Sequence, residues 1–442
     1  MKKRFLILMP FILYFMGQIV GQPKKIDFVQ YDLPNGLHVI LHQDNTTPVV
    51  AVTITYHVGS KNERADRTGF AHFMEHLMFE GSDNIGRGEY FKIAQNAGGQ
   101  INANTTQDRT FYYELLPSNQ LELGLWMESE RLLHLKIDSI GVETQRKVVK
   151  EERSARFDNQ PYGSILEETF VRAYKTHPYN WLPIGSAQYI DKATLKEFRD
   201  FHSIYYVPQN ATLCIAGDFD VEKVKQMISK YYNDIPRGTA EIIRPNVVEP
   251  PLGKEIRDTI YDNIQLPAVI QAYRIPKQGS DDSYALSMLT NIMSSGESSR
   301  MYKSIVDEQQ KAMAVYSFPF PLEDPGLFLV FGISSMKTSA QDLENAINTE
   351  IDKIKKDGLT EREFQKARNM AEADFINGIS SVAEIAGKLA NYHVFFGDAN
   401  LINSEIDKYM KVTKEDIKRV ANTYLTKENR VVLHYLPKKT VK

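Results

Sequence analysis

The chain has 442 residues, of which 42% are hydrophobic and 25% charged, and its formal net charge is -3. This composition is typical of a globular protein with room for two or more domains, and the mild acidity argues against nucleic acid as the main partner. The single cysteine, Cys214, excludes an internal disulfide and a thiolate zinc cluster. Its apolar neighbours predict a buried, unreactive thiol.

The N-terminus has the pattern of a cleaved secretory signal. Three cations at residues 2–4 precede an apolar stretch at residues 5–20, and the small Gly21 follows. Because this stretch is short for a membrane-spanning helix, we predict a signal peptide at residues 1–21, with a permanent anchor as the alternative. Removal of the three cations changes the formal charge from -3 to -6. We expect an exported protein without a stable membrane span, in the periplasm of a bacterial cell envelope.

The first half of the mature chain, residues 22–236, alternates between strand and helix patterns. Alternating or β-branched residues predict strands at 28–42 (around an Asn-Gly hairpin turn), 49–58, 101–116 and 211–215. Helical character is found at 68–80, 88–97, 121–133, 141–157 and 194–205. Residues 237–253 carry several prolines with little periodicity and form the best linker candidate.

The second half, residues 254–442, resembles a second copy of the first. Predicted segments at 266–273, 284–296, 327–333, 359–375 and 412–436 match those at 49–58, 69–81, 110–116, 140–157 and 193–215, respectively. Each half has a normal domain size. We expect an α+β protein of two homologous halves, each an antiparallel or mixed sheet packed against helices.

The segment His72-Phe73-Met74-Glu75-His76 carries the chemistry. Residues four apart share one face of a helix, so both imidazoles can reach one metal ion. Glu75 lies close to that face, where a carboxylate can accept a proton from a metal-bound water. The order His-x-x-Glu-His is the inverzincin motif, which predicts one Zn²⁺ per chain with Glu75 as the catalytic base.

A catalytic zinc usually has three protein ligands and an open position for water. The predicted helix at 141–157 offers Glu143, Glu151 and Glu152 as the third ligand. Spacing alone does not choose among them. Adjacent residues point in different directions on a helix, so at most one of Glu151 and Glu152 faces the metal.

The motif at 72–76, followed by Gln-Arg-Lys-Val-Val-Lys-Glu-Glu at 145–152, resembles the pitrilysin family over nearly the whole mature chain. That family includes insulysin and the β subunit of the mitochondrial processing peptidase. The resemblance implies a zinc endopeptidase that cuts peptides or unfolded segments, with Glu152 as the third ligand. It also implies a further glutamate seven residues before the third ligand, which supports the metal site; here that position holds Gln145.

The resemblance further implies that the strand around residues 102–113 pairs with the substrate backbone. Asn102 and Ala103 are then candidate substrate contacts. The alternative is an ordinary hairpin with turn-forming asparagines. His134 and His177 are interpreted as structural histidines.

The second half lacks zinc ligands, because Ser287, Thr290 and Asn291 align with the three motif residues. Family members often carry an Arg and a Tyr in this half that hold substrate; here alignment places Val306 and Met313 at those positions, with Tyr316 displaced nearby. We therefore expect a zinc-less homologous partner subunit in a heterodimer, or else a homodimer.

Two alternatives from other functional classes remain open. One is a catalytically silent scaffold of the same fold, and the other is a peptide-binding subunit without turnover. The presence of both motif histidines, Glu75 and Glu152 weighs against the scaffold.

Overall fold

A computed structural model of the chain describes residues 25–438, so the predicted signal peptide at 1–21 lies outside the described residues. Within that part of the chain, eleven strands form two sheets. The strands are β1 (Val29–Asp32), β2 (His38–Gln43), β3 (Val49–Tyr56), β4 (Gln100–Thr105), β5 (Thr110–Pro117), β6 (Ala211–Gly217), β7 (Ile256–Asp262), β8 (Ala268–Arg274), β9 (Ala312–Phe320), β10 (Leu327–Ser334) and β11 (Arg430–Pro437).

Helices surround the two sheets. They are α1 (Phe70–Leu77), α2 (Tyr90–Asn96), α3 (Leu121–Leu133), α4 (Ser139–Arg153), α5 (Ile165–Ala173), α6 (Ala187–Lys192), α7 (Leu195–Tyr205), α8 (Val221–Tyr232), α9 (Asp281–Met293), α10 (Ala340–Asp357), α11 (Glu361–Asn377), α12 (Val382–Phe396), α13 (Glu405–Lys411) and α14 (Lys414–Tyr424). None of the helices within residues 25–438 is long and apolar enough to cross a membrane.

The two sheets have the same topology. The first has the order β1-β2-β6-β3-β5-β4 and the second β7-β11-β8-β10-β9. Each contains one parallel pair, β2 with β6 and β7 with β11, and its other pairs are antiparallel. Strand β1 is the one addition in the first sheet. The structure thus confirms the predicted α+β fold of two homologous halves.

The halves interlock through their helices. Helix α12 of the second half packs on β3 and β6 of the first sheet, where Leu389 and Ala390 join the apolar cluster around Cys214. Helix α5 of the first half packs in turn on β8 and β11 of the second sheet. Cys214 is a buried free thiol, as predicted. Because each half covers a face of the other's sheet, the two halves share a continuous core.

Candidate metal centre

Helix α1, which carries the motif, is held at both ends by buried side chains. At the N-terminus of the helix, the carboxyl group of Glu63 accepts hydrogen bonds from the amides of Gly69 (2.9 Å) and Ala71 (2.8 Å). Burial raises the pKa of Glu63 to about 8. At the other end, the fully buried Arg131 donates to the carbonyl oxygen of Met78 at 2.7 Å. These contacts satisfy terminal backbone groups that would otherwise be unpaired, and so fix the position of α1.

Helix α4 brings a carboxylate to the two motif histidines. The Oε2 atom of Glu152 lies 3.1 Å from Nε2 of His76 and 3.6 Å from Nε2 of His72. One ligand atom from each of these residues lies within 4.8 Å of the other two, and the described residues contain this one group of that kind. Two imidazoles and a carboxylate are a donor set typical of catalytic zinc.

The second carboxylate of the motif has a different partner. Glu75 on α1 accepts a hydrogen bond from the hydroxyl of Thr105 on β4, at 2.5 Å from Oε2. Burial raises the pKa of Glu75, which makes it a stronger base. One carboxylate oxygen of Glu75 is therefore held by β4.

A polar relay orients His76. Its Nδ1 lies 3.1 Å from Oε1 of Gln145, whose Nε2 donates to Glu80 at 2.5 Å. Glu80 in turn pairs with Arg87. Because Glu80 accepts from the amide nitrogen of Gln145, the amide oxygen faces His76, and the imidazole proton lies on Nδ1. The lone pair on Nε2 of His76 then points toward Glu152.

This arrangement places two electron-rich atoms, Nε2 of His76 and Oε2 of Glu152, 3.1 Å apart. The close approach of the His76 imidazole lowers the pKa of Glu152, and burial lowers the pKa of His72 to about 4. Glu152 is therefore ionised and His72 neutral near pH 7. Facing lone pairs need a proton or a cation between them, so these residues fit a bound zinc ion.

Among the candidate third ligands, only Glu152 reaches the histidines. Glu151 is exposed on another face of α4, and Glu143 pairs with Arg146 on the helix surface. Arg156, in the π-helical turn that follows α4, contacts the second oxygen of Glu152 at 2.9 Å. This pair helps to hold the carboxylate in the direction of the imidazoles.

The cluster opens into a cleft of about 710 Å³ between α1, α4 and β4. Apolar side chains line one side: Phe79 stacks on Phe91 with ring centroids 4.8 Å apart, and the exposed Val148 lies near them. Asn102, Ala103 and Asn104 line the other side, and so belong to the same cleft as the histidines.

Strand β4 forms an open edge of the first sheet, since it pairs with β5 alone. The amide of Thr106 donates to the carbonyl of Arg109 at 2.8 Å where the hairpin turns. Alternation along the antiparallel ladder then directs the N–H and C=O of Ala103 to the free edge. The Ala103 N–H donates to the side chain of Asn102 at 2.9 Å, and this contact is exposed to solvent.

The other histidines singled out in the sequence lie away from this cleft. His177 is buried, accepts from the amide of Tyr179 and lies 3.3 Å from Asp324. His134 is partly exposed, 3.7 Å from Asp83. In the second half, Ser287, Thr290 and Asn291 lie on α9, the counterpart of α1.

A two-sheet fold with an inverted motif on one helix and a glutamate on a second defines the class of zinc-peptidase-like proteins. The protein-family model described as "Insulinase (Peptidase family M16)" matches residues 38–180, and the model described as "Peptidase M16 inactive domain" matches residues 192–371. The chain belongs to this family, the pitrilysin family. The second description agrees with the lack of zinc ligands on α9.

Relatives of known sequence or structure match nearly the whole chain. The zinc protease PqqE of Helicobacter pylori is 32% identical over 395 residues, 89% of each chain. A crystal structure of a protease from Helicobacter pylori matches with a TM-score of 0.89 and 30% identity, covering 93% of this chain and 100% of that one. The probable mitochondrial-processing peptidase subunit beta of Arabidopsis thaliana is 24% identical, covering 89% of this chain and 75% of that protein.

Proposed function

We propose that this chain is a zinc-dependent endopeptidase that hydrolyses peptides or unfolded segments, with one Zn²⁺ held by His72, His76 and Glu152. The supporting observation is the approach of these three ligand groups to within 4.8 Å of one another at the floor of an open cleft. Zinc analysis of the purified chain and cleavage of a quenched peptide with and without chelator test this function. Zinc binding without cleavage would favour a peptide-binding subunit or a missing partner subunit.

A zinc ion held by His72, His76 and Glu152 would supply Lewis acidity, which would acidify a bound water and polarise the scissile carbonyl. Glu75 accepts the water proton through the carboxylate oxygen that Thr105 leaves free, and later delivers it to the leaving amine. His72 and His76 keep their Nε2 atoms directed into the cleft. The Gln145 bond maintains the required tautomer of His76.

Substrate pairs with β4 as an added strand in this proposal. The N–H and C=O of Ala103, which face the open edge, bind the peptide main chain. The Asn102 side chain then releases its hydrogen bond with the Ala103 N–H and contacts the substrate. Apolar Phe79 and Phe91 then accommodate a hydrophobic side chain beside the cleavage point. The cleft is therefore expected to recognise the main chain of a peptide more than its sequence.

An Ala103→Pro substitution tests this pairing. Proline removes the outward N–H but is tolerated on a strand edge. Loss of one hydrogen bond is expected to raise KM about 3- to 10-fold with a smaller change in kcat. Asn102→Ala, which leaves the backbone donor in place, serves as the control, measured by steady-state cleavage of an extended peptide. An unchanged KM in the proline variant would contradict strand pairing.

The relay behind His76 provides a second test. Gln145→Met removes the acceptor for Nδ1 while keeping a similar volume, and is expected to weaken zinc binding about 10- to 100-fold. Gln145→Glu restores an acceptor and is expected to retain tight binding, provided that the new carboxylate and Glu80 share a proton. Competition with a zinc-binding dye measures both. Equal zinc affinity in all three proteins would show that the relay is dispensable.

We also propose that a second subunit completes the substrate chamber, either a zinc-less homologue or another copy. Met313 is exposed on the edge strand β9, and Val306 is partly buried in the preceding π-helical segment. Tyr316, also on β9, is exposed as well. An assay of the purified chain with and without a candidate partner tests this; full activity of a monomer would defeat it.

Export to the periplasm is proposed on the basis of the N-terminal pattern at residues 1–21. The proposed domain limits place a zinc-bearing half at 22–236, a linker at 237–253 and a zinc-less half at 254–442. N-terminal sequencing of the protein from the cell envelope fraction tests the cleavage.

A further inference from the structure

The turn of the β4–β5 hairpin, residues 106–109, lies at the junction of the two halves. Asp108 in this turn is 3% exposed. Its Oδ1 accepts from Nζ of Lys61 at 2.9 Å and from the hydroxyl of Tyr179 at 2.6 Å. Its Oδ2 accepts from the backbone amide of Glu323 at 3.0 Å. One buried carboxylate thus joins two first-half groups to the second half.

Glu323 belongs to the connection between β9 and β10 in the second half. Lys61 binds its side chain at 2.5 Å as well as that of Asp324 at 3.3 Å, and His57 lies 3.0 Å from the same glutamate. The charges are buried or half-buried, so each group depends on its partners for stabilisation. Asp108 and Lys61 therefore both bind the connection between β9 and β10.

The hairpin turn is also held from its other side. The amides of Ser60 and Lys61 donate to the carbonyls of Thr106 (3.1 Å) and Gln107 (2.8 Å). A side chain at Gly59 would place its Cβ 2.4 Å from the Thr106 carbonyl oxygen, so glycine is required for this close approach. The turn is enclosed between this segment and the second half.

The same hairpin carries Thr105, which donates to Glu75 at 2.5 Å, and β4, which lines the cleft. A shift of the turn would move both. We propose that Asp108 is a positioning residue, through which the zinc-less half fixes the hairpin against the catalytic base. This inference rests on the proposed peptidase function. It gives the second half a role inside its own chain, separate from any partner subunit.

Asp108→Asn and Asp324→Asn form a matched pair of variants. Each removes one negative charge from the cluster around Lys61, but Asp324 contacts Lys61 and His177 through its side chain and does not bind the hairpin. An asparagine at 108 cannot accept from Tyr179 and from the Glu323 amide through two oxygens. Tyr179→Phe, which removes a single donor to Asp108, is the milder variant if Asp108→Asn does not fold.

Three quantities are measured on each full-length protein: zinc content, kcat and KM for a quenched peptide, and hydrogen exchange of the segment 100–115. We expect Asp108→Asn to retain zinc, to lose about 10- to 100-fold in kcat, and to show faster exchange in the hairpin. Asp324→Asn is expected to keep kcat within about twofold and hairpin exchange unchanged, since its side chain does not touch the turn.

The outcomes separate this inference from the proposed function. If the wild type binds no zinc and cleaves no peptide, the peptidase proposal fails, while hairpin exchange still reports on Asp108. If hairpin exchange is unchanged in Asp108→Asn, or if both aspartate variants lose activity equally, the positioning role is wrong. Retained zinc with selective loss of kcat and of hairpin protection in Asp108→Asn supports it.

Discussion

A Glu75→Gln protein is expected to bind zinc as tightly as the wild type. It is expected to cleave peptides about 100- to 10,000-fold more slowly, which is the range attributed to general acid–base catalysis. Glutamine has the shape of glutamate and can still accept the Thr105 hydrogen bond. It cannot take a proton from water. The loss should therefore fall on kcat, with KM little changed.

Zinc content and the melting temperature of this variant provide the controls. Because Glu75 is buried, its neutral replacement is not expected to destabilise the fold. Thr105→Val is a useful companion, since it keeps the carboxylate and removes only the donor; a smaller loss of kcat is expected. Cleavage by Glu75→Gln at the wild-type rate would exclude Glu75 as the base.

Replacing Glu152 by glutamine is expected to lower zinc affinity by more than about 100-fold, beyond the loss typical of an outer-shell partner. The ionised carboxylate lies 3.1 Å from Nε2 of His76, and a neutral amide is a poorer zinc ligand. Activity should fall in proportion to bound metal and recover partly at high zinc concentration. Isothermal titration with zinc and parallel peptide assays measure both effects.

Glu151→Gln is the matched control, because the two glutamates are adjacent on α4 and their replacements change the same charge. Glu151 is exposed and does not reach the histidines, so zinc affinity should remain within about twofold of the wild type. A reversed result, with zinc lost in Glu151→Gln and kept in Glu152→Gln, would overturn the assignment of the third ligand.

The local part of the site could be predicted from sequence. His72, Glu75 and His76 lie within one helical turn and a half, so their common direction follows from helix geometry. The repeat of strand and helix patterns also predicted that the two sheets share one topology. Both inferences rely on short-range periodicity, which sequence shows directly.

The choice between Glu151 and Glu152 was beyond such reasoning. It depends on the rotation of α4 relative to α1, and these two helices are separated in the chain by α2, the β4–β5 hairpin and α3. The resemblance to the pitrilysin family favoured Glu152, and the structure brings that residue to the histidines. Whether it binds metal stays a prediction.

Gln145 shows a second limit of the sequence. It was interpreted as the loss of a negative charge that supports the metal site, but its amide bridges His76 to Glu80. A carboxylate, that of Glu80, thus still supports His76, but through one additional hydrogen bond. Thr105 and Arg156 were also missed. The spacing of Arg156, four residues after Glu152 at the end of a helix, offered a signal; the Thr105 contact crosses from strand to helix and offered none.

Several elements of the fold were not predicted, including α5, α8, α10, α12 and β9. Helix α10 has a clear apolar periodicity and was accessible to sequence reasoning. Helix α12 buries Val382, Ile385, Ala386 and Leu389 at helical spacing, so its existence was also accessible from periodicity. The sequence could not show that this face lies against the sheet of the opposite half. Such interlocking depends on long-range packing, which propensity does not encode.

The most direct test of the central claim is an anomalous difference map at the zinc absorption edge from crystals of the protein. We predict one strong peak per chain, bonded to Nε2 of His72, Nε2 of His76 and a carboxylate oxygen of Glu152, with an open position facing Glu75. A fully loaded zinc ion at any other group of residues, with these three left unbound, would contradict the account.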